Sequence, residues 1–91
     1  MELKWTAKAR SDVLRLHAFI ELVNPRAAAG VVQALIAAPE RLLEYPRLGE
    51  RLEQFDPREV RRIFVGDYEL RYEVATPTIY VLRVWHGREQ R

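Results

Sequence analysis

Between Arg61 and Arg88 the chain carries five arginines, at positions 61, 62, 71, 83 and 88, interleaved with Tyr68, Tyr72, Trp85 and His86. A guanidinium is a planar, permanently charged fork that matches the oxygens of a carboxylate or phosphate two at a time. An imidazole titrates near neutrality and can give or take a proton. Together Arg, His and Tyr suit two kinds of chemistry. One is the gripping of an anion or an acidic polypeptide. The other is cleavage of RNA, in which cations stabilise charge on the phosphorus oxygens while a 2′-OH attacks. Arg61, Arg62, Arg71, Arg83, Trp85, His86 and Arg88 are therefore the candidate binding residues. Plainer roles stand beside these: His86 as a solvated residue at a strand end, Trp85 as a core or interface anchor, and the tyrosines as residues at the edge of the core.

Other chemistries lack the residues they need. The sequence has no cysteine, so disulfides and thiolate metal sites are excluded. His17 and His86 stand far apart, with no HxxxH or HExxH spacing, and no metal or cofactor is expected. Ser11 is the only serine, so no Ser-His-Asp set can form, and no glycine-rich phosphate loop is present. The 91 residues fit a single domain spanning 1–91. Fifteen Lys and Arg against thirteen Asp and Glu leave a net charge of +2, too little to imply nucleic-acid binding from composition. The N-terminus lacks the apolar run of a signal peptide, and no apolar stretch approaches a membrane span. A cytoplasmic protein without membrane contact is expected.

The elements that must carry these residues follow from period and punctuation. Glu2 to Trp5 reads as a short strand, and Thr6 as the N-cap of a first helix. Ala9, Val13, Leu16, Ile20 and Val23 recur at steps of four and three, one buried stripe, with Arg10, Asp12, Arg15 and Glu21 on other faces. Asn24-Pro25 ends one helix and caps the next, which carries Ala28, Val31, Val32, Leu35, Ile36, Leu42 and Leu43. So short a connection makes an antiparallel helix hairpin. Pro39 predicts a kink or a break with a short restart. Leu48 to Arg58 reads as a polar loop. Gly66-Asp67 reads as a two-residue type II′ turn that pairs Val65 with Tyr68, Ile63 with Leu70, and Arg61 with Tyr72. On the other face Arg62 then opposes Arg71, with Glu69 and Glu73 as neutralising neighbours or with an anion site between them. Thr76-Pro77 marks the turn to a third strand. A three-residue loop is favoured there, which buries Tyr80, Leu82 and Val84 and sets Arg83 beside Arg71; a loop of two or four would put Arg83 on the face of Leu70.

The order of these features resembles the ParE/RelE superfamily of toxins from type II toxin–antitoxin modules. Trp5 with Ala9 and Asp12, Asn24-Pro25 with Ala27-Ala28, Tyr45-Pro46 with Gly49, Arg62, Gly66-Asp67-Tyr68, Tyr72, and the ending Leu82-Arg83-Val84-Trp85-His86-Gly87-Arg88 carry the likeness. It implies an α+β fold: a short N-terminal strand and an antiparallel helix hairpin packed on a mainly antiparallel sheet with a C-terminal three-strand meander. It also implies a cognate antitoxin that wraps the toxin as strand and helix. Operator DNA would be met only through that antitoxin. The two branches imply different targets. RelE-like members are ribosome-dependent mRNA endonucleases, and ParE-like members inhibit DNA gyrase. Glu69 follows the Gly-x-Tyr turn where RelE carries an arginine, Glu89 stands where it carries another, and the sequence stops at Arg91 before a tyrosine-bearing extension. The LRV-x-H-x-R ending and the NP hairpin are more similar to ParE, so a gyrase-binding toxin is the favoured reading. The alternative, on the likeness of His86 to the histidine of YoeB-like relatives, is an endoribonuclease acting on ribosome-bound mRNA through His86, Arg62 and Arg83. A degenerate, non-toxic binding module is the third reading.

Overall fold

The structure, a computed structural model, describes residues 1–89. Strand β1 (Glu2–Trp5) leads into helix α1 (Ala7–Val23), then helix α2 (Pro25–Ala37) and a 3₁₀ segment (Ala38–Leu43). Four strands follow: β2 (Glu50–Arg51), β3 (Val60–Val65), β4 (Tyr68–Ala75) and β5 (Thr78–His86). They form one five-stranded sheet in the order β1-β5-β4-β3-β2. β1 is parallel to β5 and every other pairing is antiparallel. This is the α+β fold that the sequence predicts.

The helix ends are held by the capping residues that punctuation identified. Thr6 Oγ1 accepts the Ala9 N–H at 3.1 Å and donates to the Leu82 carbonyl at 3.0 Å, so one hydroxyl both caps α1 and ties it to the sheet. Asn24 Oδ1 accepts the Ala27 N–H at 3.3 Å, with Pro25 at the first position of α2. Pro39 ends α2 and opens the 3₁₀ segment, the break-and-restart form of the expectation. Ala9, Val13, Leu16 and Ile20 are buried and meet Ala28, Leu35, Leu42, Leu70, Tyr72, Val74, Ile79, Val81 and Val84 in one core. Burying each large side chain of that set contributes roughly 1.5–3 kcal/mol. Two stripe assignments fail. Val23 is 71% exposed at the hairpin tip, where no other element covers it. Asp12, placed by periodicity on an outer face, is 5% exposed.

Gly66 has φ +58° while Asp67 does not take positive φ, the pattern of a type II′ turn, and the register of β3 with β4 is the predicted one throughout. The β4–β5 hairpin differs. Its loop is two residues, Thr76-Pro77, with Ala75 opposite Thr78. The Thr76–Pro77 peptide is cis, the form in which proline occupies the third position of a tight turn. From that turn Glu73 pairs with Tyr80 and Tyr72 with Val81; then a bulge leaves Leu82 unpaired and Arg71 faces Arg83. Arg83 therefore does stand beside Arg71, but by a bulge and not by a longer loop. The β5 residues buried in the core on the helix side are Ile79, Val81 and Val84, while Tyr80 and Leu82 are only half-buried. The stretch from Leu48 to Arg58 is also more ordered than a polar loop. It holds β2, a 3₁₀ turn (Glu53–Phe55) and the buried Leu52.

Candidate functional site

Register brings Arg62, Arg71 and Arg83 into a row across β3, β4 and β5, on the sheet face away from the helices. Like charges directly opposite repel. Here each guanidinium has a carboxylate of its own chain. Arg62 Nε meets Glu50 at 2.7 Å, and its Nη1 lies 3.6 Å from Glu69. Arg71 Nη2 donates to the same Glu69 at 3.2 Å. Arg83 reaches across to α1, donating from Nε and Nη2 to Asp12 at 2.7 and 3.1 Å. The hydrogen bond to Glu50 raises the Arg62 pKa above its ordinary value, and the bond to Asp12 does the same for Arg83. Glu73, expected to neutralise this row, pairs instead with Arg58 at 2.7 Å.

Trp85 completes the row. It is 7% exposed and lies opposite Glu69 on the same face. The guanidinium carbons of Arg71 and Arg83 stand 4.7 and 4.8 Å from its ring centroid, and Phe55 adds a second ring 5.3 Å from Arg71. Such contacts are attractive because the ring face is electron-rich, and more so where water is excluded. They account for a guanidinium whose Nε is buried without a hydrogen-bond partner among the described residues. Asp12, Arg83, Trp85, Arg71, Glu69, Arg62 and Glu50 thus form one network spanning the outer face.

Asp12 is a hub that sequence reasoning missed. Besides Arg83 it accepts the Val84 N–H at 2.9 Å and Arg15 Nη1 at 3.4 Å. β1 pairs with β5 only as far as Val81, so the β5 edge beyond is sealed by side chains. Thr6 serves the Leu82 carbonyl, Asp12 the Val84 N–H, Arg15 the Val84 carbonyl at 3.4 Å, and Glu89 the His86 N–H at 2.8 Å. The signals in the sequence were an acid at a stripe-flanking position of α1 and the place of Asp12 among the residues that carry the family likeness, neither of which names its partners.

The remaining candidates lie elsewhere. Arg61 faces Tyr72 on the helix side of the sheet, where it donates to the Gly49 carbonyl at 2.7 Å and to Glu59 at 2.8 Å. The Tyr72 hydroxyl, fully buried, donates to the Pro46 carbonyl and accepts the Gly49 N–H, both at 2.9 Å. A Cβ on Gly49 would stand 2.5 Å from the Arg62 carbonyl, so no larger residue fits. Arg61 is a loop clamp, not an outward binding group. His86 pairs with Tyr68, again on the helix side, and their rings meet edge-on with centroids 5.2 Å apart. The Arg88 N–H donates to His86 Nδ1 at 3.1 Å. The fold therefore brings Arg62, Arg71, Arg83 and Trp85 together and holds His86 and Arg88 on the other face at the sheet's end. His86 and Arg62 do not share a site.

A family model described as the ParE toxin of type II toxin–antitoxin systems, parDE, matches residues 3–91. The chain belongs to the ParE toxin family. Its relatives carry both names of the wider superfamily. Toxin RelE1 of Caulobacter vibrioides is 34% identical over 87 residues, covering 94% of this chain and 92% of that protein. Toxin RelE2 of the same organism is 32% identical, with 94% of each covered. Among solved structures, the chromosomal ParDE system of P. aeruginosa matches with a TM-score of 0.80 at 24% identity, over 94% of this chain and 95% of that one. The RelBE2 toxin–antitoxin complex of Mycobacterium tuberculosis matches with a TM-score of 0.60 at 27% identity, over 97% and 92%. Some residues that carry the likeness in the sequence have structural roles: Tyr45-Pro46 to Gly49 is the loop that Tyr72 and Arg61 clamp, and Asp12 is the carboxylate that holds Arg83. Among the described residues no helix is long and apolar enough to cross a membrane.

Proposed function

We propose that this type II toxin stops growth by binding DNA gyrase, and that a cognate antitoxin neutralises it in the cytoplasm. The observation that carries this reading is the separation of the groups a ribonuclease would need. Arg62 and Arg83 are each engaged by carboxylates of their own chain, and His86 lies on the opposite face of the sheet. A general base must come within hydrogen-bond reach of the proton it takes while cations hold the phosphate. Such a face suits protein recognition better than phosphodiester cleavage. An antitoxin helix fits the groove lined by Trp5, Arg10, Val13, Leu14 and Ile36, which is almost wholly apolar. Operator DNA would be bound through that antitoxin. Incubation of the purified chain with gyrase and relaxed plasmid tests the target: inhibited supercoiling is expected, and full supercoiling at a large excess of the chain would refute it.

A second reading rests on the relatives named RelE1 and RelE2. It makes the chain a ribosome-dependent mRNA endonuclease, with His86 as acid or base and Arg62 and Arg83 on phosphate. Primer extension on translated mRNA after induction reads it directly. Cuts that vanish in His86→Gln would favour this target over gyrase.

A further inference from the structure

Glu69 is the least exposed carboxylate among the described residues, at 2%, yet it takes no part in the core beneath the helices. It stands two residues before Arg71 on β4, so both side chains project from the sheet face away from the helices. Its oxygens are divided between two guanidiniums. Oε1 lies 3.6 Å from Arg62 Nη1, and Oε2 lies 3.2 Å from Arg71 Nη2. A bound anion bridges a pair of arginine forks in the same way. Packing alone does not call for a carboxylate here, since an apolar side chain of similar volume often replaces a buried ion pair without loss. The seat also has a donor to spare. Arg71 Nε is buried with no hydrogen-bond partner among the described residues. The rings of Phe55 and Trp85 attract the guanidinium but give that N–H no oxygen. The flanking carboxylates differ from Glu69. Glu50, on the two-residue edge strand β2, has a side chain 63% exposed, and Asp12 holds Arg83 from α1.

From this geometry we infer that Arg62 and Arg71 form an oxyanion seat plugged by Glu69, and that the plug bars phosphate groups from the outer face. A phosphate arriving about 4 Å from a fixed carboxylate is repelled by an amount worth about fivefold in affinity in bulk water, and more where water is excluded. Glu69 is fixed and almost dry, so the larger effect applies at this seat. Glu50 is solvated, and its pair with Arg62 is of the kind that water and salt weaken. With Glu69 absent, a tetrahedral oxyanion would meet two guanidiniums and the unpaired Arg71 Nε, with Arg83 next along the register. Glu69 is thus a specificity-determining residue: it turns three aligned arginines into a surface that refuses phosphate. The inference rests on the reading of this face as one for protein recognition. It deepens that reading by naming what the face refuses and the residue that refuses it.

The test titrates inorganic phosphate, and separately a short oligouridylate, into the isotope-labelled full chain and follows the Arg71 Nε–H and Trp85 indole N–H signals. No saturable shift is expected in the wild type. Glu69→Ala should bind phosphate at these signals at least about tenfold more tightly, and Glu50→Gln should not. Phosphate binding alone would show a single seat, and tighter binding of the oligouridylate would show that Arg83 joins it; either supports the inference. A second measurement holds even if Glu69→Ala is destabilised. Acetate restores the missing carboxylate, so it should raise the thermal midpoint of Glu69→Ala above that in equimolar chloride, and leave the wild type unmoved. Saturable phosphate binding by the wild type at Arg71 would overturn the inference. So would a Glu50→Gln variant that binds as well as Glu69→Ala, or a Glu69→Ala midpoint indifferent to acetate. No gyrase or ribosome enters these readouts, so their failure is distinct from failure of either proposed target.

Discussion

At the scale of residues, the informative finding is where the arginines spend their charge. Arg83 and Arg62 look in the sequence like free cations, yet each is held by a carboxylate. Asp12 is the most exposed to test, because it is buried and serves two guanidiniums and a backbone N–H. Removing one partner of a buried pair leaves the other uncompensated, so Asp12→Ala should cost about 3 kcal/mol in urea unfolding. The cost should shrink in the Arg83→Ala background, since the two residues act through one contact. Tyr72→Phe is the second residue-scale prediction. It strips the Gly49 N–H of its acceptor and the Pro46 carbonyl of its donor, a loss of about 1–3 kcal/mol measurable by the same unfolding experiment.

At the scale of elements, α1 is fastened to the sheet along one line. Thr6, Asp12 and Arg15 recur on the helix flank that meets the β5 edge, where β1 no longer pairs. An unsealed strand edge is a template for pairing with other chains. Thr6→Ala removes both the helix cap and the bond to the Leu82 carbonyl, and a loss of roughly 1–2 kcal/mol in unfolding free energy is expected, while Thr6→Ser should recover most of it. The hairpins show how far local chemistry reaches. Gly66-Asp67 dictated the β3–β4 register because a two-residue turn with positive φ at its first position leaves one pairing. Thr76-Pro77 did not, because the register there is set twice, once by the turn and again by the bulge at Leu82. Nothing in the local sequence marks that bulge; it keeps Val84 over the core while Arg83 reaches Asp12.

At the scale of the whole molecule, the ion pairs make folding stability depend on pH. Burial pushes the Glu59 carboxyl up, but hydrogen bonds and charge from Arg61 and Arg47 outweigh it, and its pKa lies below the ordinary 4.5. A depressed carboxylate pKa stabilises the fold above the unfolded-state value, and that stability is lost as pH falls through the folded-state value. The thermal midpoint should therefore drop as pH is lowered from about 5 toward about 3, and Glu59→Gln should flatten that drop. Toxicity is the other whole-molecule property. Induction in a host without the antitoxin should arrest growth; normal growth would instead favour the non-toxic binding module.

The sequence by itself determined the helix hairpin, its caps, the strand order of the meander, the β3–β4 register and the family likeness. Those depend on residue period and turn chemistry, which act over a few positions. Only the tertiary structure decided which arginines are free. Arg83 and Asp12 are 71 positions apart, and Tyr72 and Pro46 are 26 apart. Whether such pairs meet depends on helix docking and on one unpaired residue in β5, neither of which leaves a periodic trace. That geometry commits Arg61 to a loop and Arg62, Arg71 and Arg83 to an internal network. It leaves Arg88, at the end of the sheet, as the member of the original arginine set without a partner for its side chain among the described residues.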